Sequence, residues 1–362
     1  MTVPAPKDGV LEIQPYVGGK SAVPGGAKPI KLSSNEGALG PSPKAVEAAT
    51  RAAAEMHRYP DGSAAALRAA IGKRFALDPE RIVCGAGSDE LISLLVKAYA
   101  GPGDEVLYSQ YGFVMYPIAA HAAGATPVWA TEKGYRTDID AMIAKAGPKT
   151  KVCFLANPNN PTGSYVTLSE MKRLRDGLPP HTLLIVDAAY AEYVSRNDYS
   201  NGTELVDAGA NTVMLRTFSK LFAMGGMRLG WAYAPANVVD VLNRVRGPFN
   251  VGAAAQAAGV AAMEDLAFQD KCRAHNDRLL PWFSGEVARL GLKALPSVGN
   301  FLMVEFPADG AHTAAAANEF LMSRAIIPRA VANYGLPNHL RVTIGTEDEM
   351  RKVVAALEDF LK

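Results

Sequence analysis

Four short strings in this sequence place reactive or anion-binding side chains directly after apolar runs. In the first, Thr217-Phe218-Ser219-Lys220 follows the run at 213–215, and Arg228 comes eight residues after the lysine, beyond Met224-Gly225-Gly226. A lysine at the carboxyl end of a strand stands where open α/β sheets keep their ligand crevices. There it could form a Schiff base, with Thr217, Ser219 and Arg228 suited to a phosphate beside it. In the second, Asp187-Ala188-Ala189-Tyr190 follows 183–186. A buried acid at a strand end needs a cation or strong donors, and a protonated pyridine nitrogen would serve. The Tyr190 hydroxyl, three residues on, could reach a phenolic oxygen of the same ring. The third string, Asn157-Pro158-Asn159-Asn160-Pro161-Thr162-Gly163, is a loop whose two prolines stiffen it around the Asn160 amide. The fourth, Cys84-Gly85-Ala86-Gly87-Ser88-Asp89-Glu90, sets small residues at a helix start, where backbone N–H groups and the helix dipole favour an anion. Glu90 stands where a dinucleotide fingerprint wants Gly or Ala, which argues against a nicotinamide cofactor.

Each string alone also reads as an ordinary turn or helix cap. Together they supply an imine lysine, an acid for a ring nitrogen, donors for a phenolic oxygen and a phosphate cup, the parts needed to hold pyridoxal 5′-phosphate.

The elements that must position them alternate. Strands are expected at 82–84, 105–108, 126–130, 151–155, 183–186, 213–215 and 229–232, with helices at 90–100, 116–123 and 168–176. Such alternation predicts an α/β fold with a mostly parallel sheet covered on both faces. The last third changes character: one long helical region over 253–290, a strand at 301–305, a helix at 313–323, a strand at 340–344 and a terminal helix opened by Thr346 and Glu349 at capping-box spacing. The expected division is an N-terminal arm at 1–30, rich in Pro and Gly, a large domain at 31–248, and a smaller α+β domain at 249–362. The 362 residues suffice for such a core and exclude a small scaffold stapled by disulfides or metal. No metal site is expected. With 37 Lys+Arg against 36 Asp+Glu there is no basic footprint for nucleic acid or an anionic membrane. Cys84, Cys153 and Cys272 are widely spaced and fit reduced thiols in a cytoplasmic protein. The N-terminus has no secretory pattern, and the weakly polar stretch 251–263 is too short to span a bilayer.

The ordered motifs resemble those of the fold-type-I, pyridoxal-phosphate-dependent aminotransferases, and within them the histidinol-phosphate aminotransferases. The likeness runs from Ile30-Lys31-Leu32-Ser33-Ser34-Asn35-Glu36 to Leu340-Arg341-Val342-Thr343-Ile344-Gly345-Thr346. It implies that Lys220 bonds the cofactor, Asp187 pairs with the pyridine nitrogen, and Tyr190 and Asn160 hold the phenolic oxygen. Gly87, Ser88 and Asp89 would form the phosphate turn, completed by Thr217, Ser219 and Arg228. Tyr111 would stack on the ring, and Tyr59 would reach the phosphate from the second subunit of a homodimer. Substrate recognition would fall to Tyr16, Asn35, Arg329 and Arg341. The implied reaction is ping-pong transamination between L-histidinol phosphate and 2-oxoglutarate, giving L-glutamate. An aromatic amino-acid aminotransferase is the alternative within the fold, and a phospho-amino-acid decarboxylase a weaker one. Two positions depart from the pattern, Gly37-Ala38 after Asn35-Glu36 and Gly252 after Asn250-Val251, both bearing on substrate preference.

Overall fold

The computed structural model describes residues 4–23 and 28–362, so Met1–Val3 and residues 24–27 of the expected arm lie outside the described residues. Among the described residues thirteen strands follow in chain order: β1 (Ile30–Lys31), β2 (Ile82–Gly85), β3 (Glu105–Ser109), β4 (Thr126–Ala130), β5 (Thr150–Ala156), β6 (Leu183–Asp187), β7 (Thr212–Thr217), β8 (Gly230–Tyr233), β9 (Lys293–Ala294), β10 (Phe301–Glu305), β11 (Ile326–Ile327), β12 (Arg329–Ala330) and β13 (His339–Thr343).

Seven of them form the large sheet in the order β2-β8-β7-β6-β5-β3-β4. Strands β4, β3, β5, β6 and β7 run parallel, while β8 is antiparallel to both its neighbours. The central strands are apolar on both faces because both faces are covered: β6 and β7 are buried at every position. Helices Ser88–Tyr99, Met115–Ala123 and Ala236–Val245 pack on one face. The other carries Ala65–Phe75 and Ala253–Glu264 at one end, and Ile139–Lys145 and Leu168–Gly177 at the other. In register, Ala156 of β5 lies beside Asp187 of β6, and Asp187 beside Leu215 of β7. The segments that carry Asn160, Asp187 and Lys220 therefore leave the sheet along one edge.

The smaller unit is the antiparallel sheet β12-β13-β10-β9, covered by the C-terminal part of helix Leu266–Arg289 and by helices Ala314–Ser323 and Glu347–Phe360. The capping box at Thr346 and Glu349 forms as the spacing predicts.

Packing corrects three of the expectations. The helical region 253–290 is two helices that meet at Asp265, whose carboxylate accepts hydrogen bonds from Ser42 Oγ (2.5 Å) and Lys44 Nζ (3.3 Å). The first of the two shares a core with Ile71, Ile82 and Trp231, so the change of core falls inside the second helix rather than at 249. At the other boundary, β1 pairs in parallel with β11 and Leu32 packs in the C-terminal core, so the chain starts its ordered path on the small unit. Helix Pro43–Ala53 was not anticipated. Its Ser42 N-cap and Pro43 at the first helical position are standard start signals, and Ala45, Ala48 and Ala49 form its buried face.

Candidate active site

A cavity of about 270 Å³ opens at this edge of the large sheet, between it and the small unit. Of the side chains singled out in the sequence, Tyr16, Asn35, Ser88, Asp89, Asn160, Asp187, Tyr190, Thr217, Ser219, Lys220, Arg228, Arg329 and Arg341 all line it. Residues up to 325 positions apart in sequence are thus brought together.

Asp187 is the last residue of β6 and is 6 % exposed. Its Oδ2 accepts a hydrogen bond from Tyr116 Oη at 2.8 Å, while Oδ1 is buried without a partner. Burial raises its carboxyl pKa to about 6, against the opposing pull of the Tyr116 hydrogen bond. An unpartnered buried acceptor costs free energy until it finds a donor, so Oδ1 is poised for an N–H of something bound in the cavity. Tyr116 was not foreseen. It is fully buried, stacked on Phe154 with ring centroids 4.2 Å apart, and so holds its hydroxyl in place.

Lys220 lies just beyond β7, its Nζ donating to Ser34 O at 3.1 Å and standing 5.6 Å from the centre of the Tyr190 ring. Burial first, and the Arg341 guanidinium second, lower its pKa to about 8. A substantial fraction of the amine is then neutral and nucleophilic near neutral pH. The sign gives a prediction: capture of an aldehyde by this amine should accelerate as pH rises through about 8. Stopped-flow absorbance on apoprotein mixed with pyridoxal phosphate measures it, and a rate flat between pH 7 and 9 would contradict it.

Beside the lysine, Ser219 N donates to Thr217 Oγ1 at 3.1 Å, and the two hydroxyls lie 3.0 Å apart. Arg228 Nη2 donates to Asp89 Oδ2 at 3.0 Å. Gly87 has φ +85° and packs on the Arg228 guanidinium where a Cβ would collide. Gly230 has no room for a Cβ either, because the backbone of Gly87 and Ser88 approaches it. The start of helix Ser88–Tyr99, two hydroxyls and an arginine thus face one end of the cavity, a set suited to a phosphate.

At the other end, Arg329 of β12 and Arg341 of β13 are direct cross-strand partners. Like charges so opposed are destabilising unless an anion lies between them. Arg341 is 5 % exposed, donates from Nη2 to Ser33 O at 2.8 Å and from Nη1 to Asn160 Oδ1, and keeps Nε buried without a partner. Arg329 donates from Nη2 to Val17 O at 2.9 Å. Between the two ends, Asn35 adopts the left-handed conformation (φ 55°) and donates from Nδ2 to Tyr190 Oη at 2.8 Å. Burial raises the Tyr190 hydroxyl to about 12.

Two expected residues stand elsewhere. Tyr111 does not line the cavity; its ring packs toward Tyr135, 6.0 Å between centroids, and Phe113 occupies the cavity wall instead. Tyr111, Phe113 and Tyr116 fall within six residues of a loop and a helix start, and only the loop's path decides which faces inward. Tyr59 is 83 % exposed, stacked on Phe249 at 4.7 Å and outside this chain's own cavity. Tyr334 also lines the cavity, on a turn between β12 and β13 that carried no sequence signal.

The sequence profile described as Aminotransferase class I and II matches residues 27–357. The chain belongs to that family. A relative from Paramagnetospirillum magneticum named histidinol-phosphate aminotransferase is 61% identical over 100% of this chain and 99% of its own. One of the same name from Rhodospirillum centenum is 57% identical over the whole of both chains. The crystal structure of a Sinorhizobium meliloti histidinol-phosphate aminotransferase in complex with pyridoxal-5′-phosphate superposes with a TM-score of 0.86 at 27% identity, covering 92% of this chain and 90% of that one. The expected α/β fold of this family, with a large mostly parallel sheet and a smaller C-terminal unit, is the one observed. Among the described residues no helix is long and apolar enough to cross a membrane, and no group of His, Cys, Asp and Glu is arranged to hold a metal ion.

Proposed function

We propose that this aminotransferase is pyridoxal-phosphate-dependent and exchanges the amino group of L-histidinol phosphate with 2-oxoglutarate, giving imidazole acetol phosphate and L-glutamate, as expected of a step in histidine biosynthesis. The residues fit the cofactor on their own chemistry: an orphaned Oδ1 of Asp187 for the pyridine N–H, a depressed Lys220 amine for the aldehyde, and the glycine-lined cup at Ser88 for the phosphate. The opposed Arg329 and Arg341 carry the choice of substrate. One buried, forked site must accept the phosphate of one substrate and the carboxylate of the other, and paired guanidinium groups match both anions.

In the reaction, Arg341 and Arg329 bind and orient the substrate anion. Phe113 covers one side of the cavity and excludes water. Lys220 Nζ would take the proton from the substrate carbon that bears the amino group and, as its conjugate acid, give that proton back to complete the transfer. Asp187 keeps its negative charge against the ring nitrogen, and Tyr116 steadies that carboxylate. Asn160 and Tyr190 hold the phenolic oxygen, while Thr217, Ser219, Arg228, Ser88, Asp89 and Gly87 hold the phosphate. Pyridoxal phosphate, when bound, supplies the electron sink that makes the substrate carbon acidic.

We place the enzyme in the cytoplasm as a homodimer, with Tyr59 of each subunit reaching the phosphate of its partner; the exposed Tyr59–Phe249 stack supports this. Sedimentation that finds an active monomer would refute it.

Replacing Arg341 by Lys keeps the charge and loses the fork. The KM for L-histidinol phosphate should rise about 10- to 100-fold, the equivalent of roughly 1.5–3 kcal/mol for a hydrogen bond to a charged group. Steady-state kinetics check it, and an unchanged KM would remove Arg341 from the substrate site. The substrate itself is tested by mixing cofactor-loaded enzyme with L-histidinol phosphate, and separately with L-phenylalanine, while following the cofactor absorbance. Rapid conversion by histidinol phosphate alone supports the proposal. Equal or faster conversion by phenylalanine would replace it with aromatic amino-acid transamination.

A further inference from the structure

The geometry points to Glu132 as a positioning residue that sets the ring-facing wall of the cavity without touching it. Glu132 follows β4 and lies outside the cavity lining. Its Oε1 accepts from Ser109 Oγ at 2.6 Å and Tyr111 N at 3.3 Å, and Asn159 Nδ2 stands 3.5 Å from it. These groups come from two segments of the chain, one at the end of β3 and one after β5. Ser109 and Tyr111 lead out of β3 toward Phe113, and Asn159 precedes Asn160 on the loop after β5. Phe113 and Asn160 both line the cavity, whereas Glu132, Ser109 and Asn159 do not.

The tie is closed from the other side as well. Asn159 Nδ2 donates to Tyr111 O at 3.2 Å and to Thr162 Oγ1 at 3.0 Å, so one buried amide bridges both loops. Asn159 is 1 % exposed and Ser109 6 %. Burial raises the Glu132 carboxyl above the usual range while the Ser109 and Tyr111 bonds pull it down, so the group is held in place against a desolvation cost. Glu132 Oε2 is buried and accepts nothing. A carboxylate kept in such surroundings, holding Ser109 and Tyr111 against the Asn159 amide that itself bonds Tyr111 O, fixes the distance between the residue that covers the ring and the one beside its phenolic oxygen. Position matters steeply here, because a displacement of about 1 Å remote from the chemistry can cost roughly 10²-fold in rate.

This rests on the cofactor lying against Phe113 and Asn160, and the test separates the two claims. Wild-type, Glu132→Ala and Glu132→Gln enzymes are loaded with pyridoxal phosphate, and kcat and the ellipticity of the cofactor band are both expressed per bound cofactor. Normalising in this way removes any loss due to unfolded protein. In Glu132→Ala, kcat should fall by up to roughly 10²-fold with a much smaller change in KM, and the cofactor-band ellipticity should change. Glu132→Gln should restore both, since its carbonyl can accept from the same donors and its amide nitrogen takes the place of an oxygen that accepts nothing. Where Glu132→Ala does not fold, Asn159→Ala breaks the same tie and should give the same signature. Wild-type kcat and ellipticity per bound cofactor in the alanine variants, or a glutamine variant as impaired as Glu132→Ala, would overturn the assignment. If wild-type enzyme showed no cofactor band at all, the cofactor reading would fail instead.

Discussion

Lys220→Ala is expected to bind pyridoxal phosphate and yet lose turnover by about 10⁴-fold, the upper end of what a positioned proton-transfer group contributes. The phosphate end of the cavity, built from Ser88, Thr217, Ser219 and Arg228, is untouched by the change, so affinity should fall far less than rate. Burial is what makes this lysine irreplaceable: its pKa is held at about 8, whereas an exposed lysine would be protonated and inert at neutral pH. Cofactor affinity by equilibrium dialysis and a single-turnover assay separate the two effects. Turnover by the purified variant close to the wild-type rate would remove Lys220 from the chemistry.

Asp187→Asn should lower kcat by roughly 10² to 10³-fold, comparable to removing one preorganised electrostatic contact in other enzymes. The asparagine can still accept from Tyr116 and can still face the ring nitrogen, but it has no charge to keep that nitrogen protonated. Stability should move the other way. Because burial raises the folded-state pKa of Asp187 to about 6, above its ordinary value, the protonated form is favoured in the fold. Its contribution is therefore full below the unfolded pKa and is lost as pH rises through about 6. The Asp187→Asn apoprotein should consequently melt at or above wild type at pH 7 to 8, with the gap closing as pH falls through about 6. Activity lost together with a large drop in melting temperature would show that the aspartate is structural. Unchanged activity would refute its role at the ring nitrogen.

Asp187 and Lys220 were readable from sequence for the same reason that they are costly: each follows a run of residues buried on both faces of a central strand, so a charged group there demands a partner. Asn160 was readable because the prolines on its loop leave it little freedom. What the sequence concealed depends on paths and registers. Phe113 rather than Tyr111 faces inward because of how the chain turns after β3. The opposition of Arg329 and Arg341 exists only in the register of β12 against β13, two strands separated by a turn. Tyr116 sits in the first turn of helix Met115–Ala123, and its importance comes from reaching Asp187, 71 residues away in sequence. The helical region expected over 253–290 is divided at Asp265, where Ser42 and Lys44, far away in the chain, capture the carboxylate. The small unit also takes its first strand from residues 30–31, a pairing across nearly 300 residues that no local pattern encodes.

The central claim is that one lysine, at the sheet edge beside Asp187, holds the cofactor. Treating the cofactor-loaded enzyme with borohydride, digesting it and locating the pyridoxyl group by mass spectrometry tests this directly. The modification should be found on the peptide containing Lys220 and be absent from Lys220→Ala. A pyridoxyl group on any other lysine of the native enzyme would contradict the account.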